Sequence, residues 1–96
     1  MNLRLRGLDH KQTRELYEYL MRLWSWSESQ DQSLFHENLV KLAEYVVVKS
    51  SALKFTKDEQ RNWTAIVDAA LAETDPKALP KHWRAIDDFW TKCHIL

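Results

Sequence analysis

The chain has few of the residues that break helices, with one glycine and two prolines in 96 positions. One glycine excludes a glycine-rich loop that cradles phosphate groups, because such loops and the dinucleotide-binding fingerprint need several glycines at fixed spacing. One cysteine, Cys93, excludes a disulfide within the chain. We therefore expect neither a nucleotide-binding loop nor a disulfide scaffold.

No charge of one sign dominates, because 14 basic residues balance 14 acidic ones and the formal net charge is zero. Phosphate contacts need clustered Lys and Arg, so the global charge gives no support for a nucleic-acid partner. No apolar run approaches the roughly 20 residues that span a bilayer. Arg4 and Arg6 fall where a secretory signal peptide would have its apolar stretch. We expect a cytoplasmic protein of bacterial or phage origin, with no membrane partner.

Apolar residues recur with helical spacing along most of the chain, which predicts an all-α fold. Capping-box spacing at Asp9/Gln12 and at Thr56/Glu59 predicts two helix starts, and Pro76 and Pro80 suit a short turn and a further start. We expect one domain over residues 1–96, a compact antiparallel four-helix bundle. Its helices should cover about 9–26, 31–51, 57–74 and 80–94, with a turn at 76–79 and an extended arm at 1–8.

The stripes on these helices predict the core. Its expected members are Leu16, Leu20, Trp24, Phe35, Leu39, Leu42, Val46, Trp63, Ile66, Val67, Leu71, Trp83, Ile86 and Trp90, with Cys93 as a small core residue.

The first residues differ, because the segment Leu3-Arg4-Leu5-Arg6 alternates with the period of a half-buried strand before Gly7 breaks the pattern. A lone strand has nothing to pair with inside a helical bundle. A packed extended arm is the reading we favour; a disordered tail and a strand that pairs with a second chain are the alternatives.

Five tryptophans exceed what a small helical core needs, which indicates that some rings serve a partner surface. Trp24 and Trp26 point about 200° apart on a helix, so both cannot enter one core. With Trp24 in the core, Trp26 lies near Tyr19 and Arg22 on an otherwise charged face, a composition typical of interfaces. The alternatives are that Trp26 folds back onto the bundle, or that Tyr19 packs against the arm.

The second predicted helix has more apolar surface than one stripe needs, with Val40 and Val47 on one flank and Leu34 and Tyr45 on the other. Such a wide arc is typical of a helix that is central in a bundle or touches a second partner. Val40 and Val47 therefore join Tyr19, Arg22 and Trp26 as predicted partner-binding residues, and a homodimer through this flank or the arm is possible.

A local basic patch near the start of the chain is the best candidate for binding nucleic acid by charge and stacking. Its members are Arg4, Arg6, Lys11 and Arg14. Acidic residues are interspersed among them, and the alternative is an ordinary solvated helix face.

Catalytic and metal-binding patterns are missing. His82 and Cys93 are three helical turns apart, and Cys93 and His94 point in different directions, so no recognised zinc-ligand spacing occurs. Serines occupy predicted caps and loops, and the carboxylate pair Asp87/Asp88 does not converge on one substrate atom. We expect no catalytic residues, no metal, no cofactor and no enzyme activity.

The string Leu8-Asp9-His10-Lys11-Gln12, followed by Glu18-Tyr19-Leu20, is similar to the opening helix of phage small terminase subunits, but nothing downstream continues it. The size and helix number also resemble small bacterial immunity proteins and phage-encoded inhibitors, an analogy of fold only. The leading hypothesis is a small protein-binding module: a regulator, adaptor, inhibitor or immunity-type protein. The second hypothesis is a nucleic-acid-binding protein, and the third is a small enzyme or metal protein.

Overall fold

Five α-helices, a 3₁₀ turn and a short strand pair make up the part of the chain that the computed structural model describes, residues 4–92 and 94–95. In chain order these are β1 (Arg4–Leu5), α1 (His10–Glu28), α2 (Gln32–Val48), α3 (Ser50–Leu53), α4 (Lys57–Ala72), a 3₁₀ turn (Pro76–Ala78), α5 (Leu79–Thr91) and β2 (His94–Ile95). Helices account for most of these residues, which confirms the predicted all-α class.

Both predicted capping boxes are present at the starts of α1 and α4. The Asp9 carboxylate accepts from the Gln12 backbone N–H at 2.7 Å, and the Gln12 side chain accepts from the Asp9 N–H at 3.2 Å. Thr56 and Glu59 form the same reciprocal pair at 3.1 and 2.9 Å. These bonds satisfy backbone N–H groups that have no partner inside the helix, so both helices begin where their sequences predict.

The second predicted helix is not continuous over 31–51. It leaves helical geometry at Lys49 (φ −94°, ψ 7°) and resumes as the four-residue α3, which ends at Lys54 with a left-handed φ of 50°. The change of direction brings Leu53 into the core, where it is fully buried. The free energy gained by burying this leucine offsets the cost of interrupting the helix at the break.

Three other helix ends differ from their predicted positions. α4 ends at Ala72 rather than at 74. α1 runs on to Glu28, and Gln30 follows with a left-handed φ of 55°. The Asp31 N–H donates to the Trp26 carbonyl at 3.0 Å, the bond that closes a helix end of this type. α5 begins at Leu79 and ends at Thr91 rather than at 94.

The N-terminal arm has a strand partner within its own chain, so the expectation that nothing in the fold could pair with it was wrong. β1 pairs antiparallel with β2, with Arg4 opposite Ile95 and Leu5 opposite His94. Leu5 is also anchored by its backbone N–H, which donates to Thr13 Oγ1 at 3.2 Å. The arm is therefore packed on the helices and is not free to pair with a second chain through this edge. Leu3 lies outside the described residues.

The helices pack around one core. α1 lies against α2 and α5, and α4 lies against α5 and α2. The Cα radius of gyration is 12.9 Å and the principal extents are 34 × 29 × 20 Å, as expected for a compact chain of this length. Contacts between α1 and the arm close one end of this arrangement.

Two predicted core residues are outside it. Trp24 is 43% exposed and Leu71 is 37% exposed. On α1 the buried series is Thr13, Leu16, Leu20, Leu23 and Ser27, which leaves Trp24 at the margin and brings Trp26 against the core. On α4 the buried position is Ala70, so Leu71 turns outward.

The other predicted core residues are buried or packed against the core. Those that are buried are Leu16, Leu20, Phe35, Leu39, Leu42, Val46, Trp63, Val67, Ile86 and Trp90, while Ile66 and Trp83 are half-buried against them. The Trp83 indole N–H donates to the Leu20 carbonyl at 2.9 Å. Residues that the prediction omitted are Leu5, Leu8, Leu23, Leu53, Ala70, Leu79 and Phe89. Cys93 lies outside the described residues.

Four aromatic rings form the densest part of the core, where α4 and α5 meet the segment after α3. Trp90 is fully buried and its ring centroid lies 5.2 Å from those of Trp63 and Phe89 and 5.8 Å from that of Phe55. Ring pairs in this distance range attract one another beyond the effect of area burial alone. Three of the five tryptophans (Trp63, Trp83 and Trp90) thus stabilise the α4–α5 side of the fold.

Candidate functional site

A groove between α2 and α4 is the most promising site in the described part of the chain. It encloses about 330 Å³. Its floor consists of residues that are nearly or fully buried, Val46, Trp63 and Val67. Ala43 and Val47 of α2 and Ser50 of α3 form one wall, and Gln60, Thr64 and Asp68 of α4 form the other. We call this site the α2–α4 groove.

The two predicted partner-binding residues of α2 lie along this side of the helix. Val47 lines the groove and is 72% exposed, while Val40 is two turns away on the same helix face and is 42% exposed. Leu71 lies one turn beyond Val67 on α4, so its exposed side chain extends the apolar surface at that end. Isolated exposed apolar residues are ordinary, but two valines and a leucine on the helix faces beside an apolar groove are typical of a contact surface.

Hydrogen bonds fix the two helices that form the groove in antiparallel order. At the start of α2, the Gln32 side chain donates to the Glu73 carbonyl at 2.5 Å. One turn further, His36 Nε2 donates to the Ala70 carbonyl at 3.0 Å. Both acceptors lie at the end of α4, where carbonyls lack a full set of helical partners, and the second bond gives the half-buried His36 ring a partner.

The predicted partner-binding residues of α1 lie on the opposite flank of α2. The Tyr19 and Tyr45 ring centroids are 5.4 Å apart, and the Arg22 guanidinium lies 5.8 Å from the Tyr19 centroid. Trp26 is half-buried against the core, in contrast to the charged, exposed face that we predicted. The structure therefore brings Tyr19, Arg22 and Trp26 to the α1–α2 contact and does not join them to Val40 and Val47.

Tyr45 closes the α1–α2 contact with its hydroxyl, which donates to the Gln12 carbonyl and to Glu15, each at 3.2 Å. Burial, together with the neighbouring Glu15 carboxylate, raises the pKa of Tyr45 to about 12. A phenol held in its protonated form is a structural donor here and does not act as a base.

A second apolar surface was not predicted. Met21 is 57% exposed and Trp24 is 43% exposed, one turn apart on α1. We call these two residues the α1 patch. Neither residue lines the α2–α4 groove.

Of the predicted nucleic-acid residues, Arg6 has an acidic partner. Arg6 Nη2 contacts Glu59 Oε1 at 2.7 Å, so its charge is opposed by a carboxylate of α4. Lys11 and Arg14 are exposed on α1. The side chain of Arg4 lies outside the described residues.

Within residues 4–92, no group of three metal-ligating side chains converges. Two side chains of the metal-ligating types do meet, with His82 Nε2 and Glu73 Oε1 2.8 Å apart. Burial raises the pKa of the Asp87 carboxyl, with a smaller contribution from Asp88, but no histidine or lysine adjoins it in the described contacts. In the same residues, no helix combines the length and the apolar character needed to cross a bilayer.

The Glu73 carboxylate gives a test of the loop between α4 and α5. It accepts from His82 and from the backbone N–H groups of Thr74 and Asp75, and these bonds hold its pKa below the ordinary value of 4.5. A lowered folded-state pKa stabilises the fold above pH 4.5, and this contribution is lost as pH falls below that value. Glu73→Gln should therefore flatten the decline of unfolding free energy between about pH 5 and pH 3.

Urea denaturation at a series of pH values measures this slope. The matched control is Glu44→Gln, since Glu44 is exposed and the described residues offer it no hydrogen bond or ion pair. Equal slopes for Glu73→Gln and Glu44→Gln would show that the Glu73 contacts do not persist in solution.

The chain matches no protein-family model, no curated protein and no solved structure at a significant level. Function is therefore inferred from the surfaces described above.

Proposed function

We propose that the chain is a small, non-enzymatic protein-binding module, which acts by occupying a partner surface as a regulator, adaptor, inhibitor or immunity-type protein does. The α2–α4 groove is the contact site, and the four long helices form an antiparallel four-helix bundle that presents it. One observation carries the proposal: Val40, Val47 and Leu71 are exposed beside an apolar groove floor. Apolar anchors around a concavity are what a protein partner buries most favourably.

Tyr19, Arg22 and Trp26 have a different role in this proposal. Tyr19 contacts α2 through Tyr45, Trp26 packs against the core, and Arg22 is the exposed one of the three. Because Trp26 packs against the core, its replacement would change the stability of the module as well as its surface. The valines of α2 are therefore the residues whose substitution tests binding alone.

A pair of neighbouring valines provides a matched test. Val47→Gln removes an apolar wall of the groove, whereas Val48→Gln removes an equally exposed valine (74%) that does not line it. Glutamine is a good helix former and adds no charge, so both variants should keep the stability of the parent chain. Val47→Gln should weaken partner binding about tenfold or more, because burying a valine contributes roughly 1.5–3 kcal/mol.

The measurement begins with the tagged chain and the two variants in lysate of the organism that encodes them, at low and at high salt, each with and without nuclease treatment. A retained protein is then purified, and its dissociation constant is measured for all three chains. Weaker binding by Val47→Gln alone supports the proposal. Equal binding by all three chains, or recovery of nucleic acid only at low salt, contradicts it.

A further inference from the structure

The α2–α4 groove has the dimensions of a helix-binding site. The two helices that form it are antiparallel neighbours, joined at one end by the His36 to Ala70 bond and open at the other between Ser50 and Gln60. From Val40 to the end of α2 at Val48 the helix rises about 12 Å, at 1.5 Å per residue. Two to three turns of a third helix fit along such a wall and bury their apolar face between the two existing helices.

Two carboxylates flank the groove without a counter-charge. Asp68 lines the α4 wall, and Glu44 lies on α2 one turn from both Val40 and Val47. Neither forms an ion pair in the described part of the chain. The unpaired acids give the rim of the groove a negative charge.

The cations nearest to this rim are opposed by carboxylates, remote, or held on the other flank of α2. Lys49 Nζ lies 5.6 Å from the centroid of the Tyr45 ring, which is at the α1–α2 contact. Lys41 Nζ lies 3.8 Å from Glu37 on its own helix, and Arg61 lies 3.7 Å from Asp58. Lys57 is in the first turn of α4, about three turns from Asp68. The apolar surface is therefore bordered by net negative charge, which attracts a cationic partner and repels an acidic one.

A second copy of the chain fits this surface poorly. A symmetric pairing of α2 with α2 of another copy, centred between Val40 and Val47, would bring Glu44 close to its own equivalent. Like charges in such a contact are destabilising, and no free cation of the groove lies nearby to offset them.

We infer that the α2–α4 groove binds a cationic amphipathic helix of another protein. The helix has leucine-type residues at i, i+3, i+7 and i+10, and these contact Val40, Val47 and the groove floor. Lysine or arginine residues flank this stripe and lie opposite Glu44 and Asp68. The inference rests on the proposed function and adds the charge and conformation of the partner segment.

Three synthetic 14-residue peptides test it by titration into ¹⁵N-labelled chain. One has a leucine stripe flanked by lysine, one has glutamate in place of every lysine, and one is a scramble of the first. The lysine peptide should shift the amide resonances of Ala43, Val47 and Thr64. Glu44→Gln with Asp68→Asn should weaken its binding about fivefold or more, and added salt should weaken it further. The charge-matched control, Glu18→Gln with Glu28→Gln on α1, should change it less than twofold.

Binding of the glutamate peptide at the groove with equal affinity would overturn the inference but leave the proposed function standing. Shifts centred on the α1 patch, shifts produced equally by the scrambled peptide, or no binding would also overturn it. A concentration-dependent dimer that Val47→Gln abolishes would assign the groove to a second copy instead. The proposed function is contradicted by a different result, in which a natural partner binds the wild-type chain and Val47→Gln with equal affinity.

Discussion

Replacing Gly7 with alanine is expected to lower the free energy of unfolding by about 2–5 kcal/mol, a large fraction of the total for a domain of this size. Gly7 has a left-handed φ of +80°, which costs an alanine roughly 1–2 kcal/mol. A Cβ at this position would also lie 1.8 Å from the Ala52 carbonyl oxygen and 2.6 Å from its carbon. Both are backbone atoms that cannot rotate away, and overpacking of this kind costs about 1–3 kcal/mol more.

The arm cannot relieve this clash cheaply, because it is held on both sides of Gly7. Leu5 and Leu8 are almost completely buried. Moving the segment away from α3 would return both leucines to water and break the Leu5 bond to Thr13. The N-terminal arm is thus part of the core.

Equilibrium urea denaturation of Gly7→Ala, beside Arg6→Ala, measures the effect. Arg6→Ala changes the adjacent position and removes the partly exposed ion pair with Glu59, which should cost about 1 kcal/mol or less. If Gly7→Ala were no more destabilising than Arg6→Ala, the close approach of the arm to Ala52 would be contradicted.

Trp90→Ala should be the other strongly destabilising substitution, by about 3–5 kcal/mol. Trp90 is fully buried among Phe55, Trp63 and Phe89, so its loss leaves a cavity lined by rigid rings. Trp24→Ala, the same chemical change at an exposed site, should cost under about 1 kcal/mol. Unfolding free energies from denaturant titrations of the two variants measure the difference.

Trp90→Phe separates packing from hydrogen bonding at the same position. The Trp90 indole N–H has no acceptor among the described residues, so phenylalanine removes a buried, unsatisfied donor along with part of the ring. It should therefore cost clearly less than Trp90→Ala. Equal losses for Trp24→Ala and Trp90→Ala would contradict the assignment of Trp24 to the surface and Trp90 to the core.

Helix starts could be predicted from the sequence because they depend on neighbours within one turn. Asp9 with Gln12 and Thr56 with Glu59 carry the capping information in four consecutive residues, and both boxes form. Helix ends were harder, since Lys49 and Gln30 are ordinary residues in uncommon backbone positions. Gln30 is left-handed although glycine is the residue that usually marks such a position. The break at Lys49 depends on the burial of Leu53.

The pairing of β1 with β2 and the choice between the two tryptophans of α1 depend on distant parts of the chain. Arg4 and Ile95 are at opposite ends of the sequence, so no local pattern links them. Trp24 and Trp26 both lie near the margins of the α1 stripe, and contacts with α2 and α5 decide which one is covered. The sequence pattern alone could not determine which face of α1 is directed to the core.

The candidate site was predictable on one helix only. The width of the apolar arc on α2 pointed to Val40 and Val47, and both are exposed beside the groove. Asp68 and Leu71 belong to the same surface only because α4 packs antiparallel to α2, which no spacing within α4 could indicate. Leu71 was predicted to be a core residue because its spacing from Val67 matches a buried stripe.

The exposed apolar residues of this chain form two separate surfaces, so the most direct measurement is one that distinguishes them with the natural partner. A photoreactive benzoylphenylalanine in place of Val47 reports on the α2–α4 groove, and the same residue in place of Trp24 reports on the α1 patch. We predict that the partner forms a covalent adduct with the chain carrying the probe at position 47 and not with the chain carrying it at position 24. An adduct at position 24 without one at position 47 would contradict the assignment of binding to the groove.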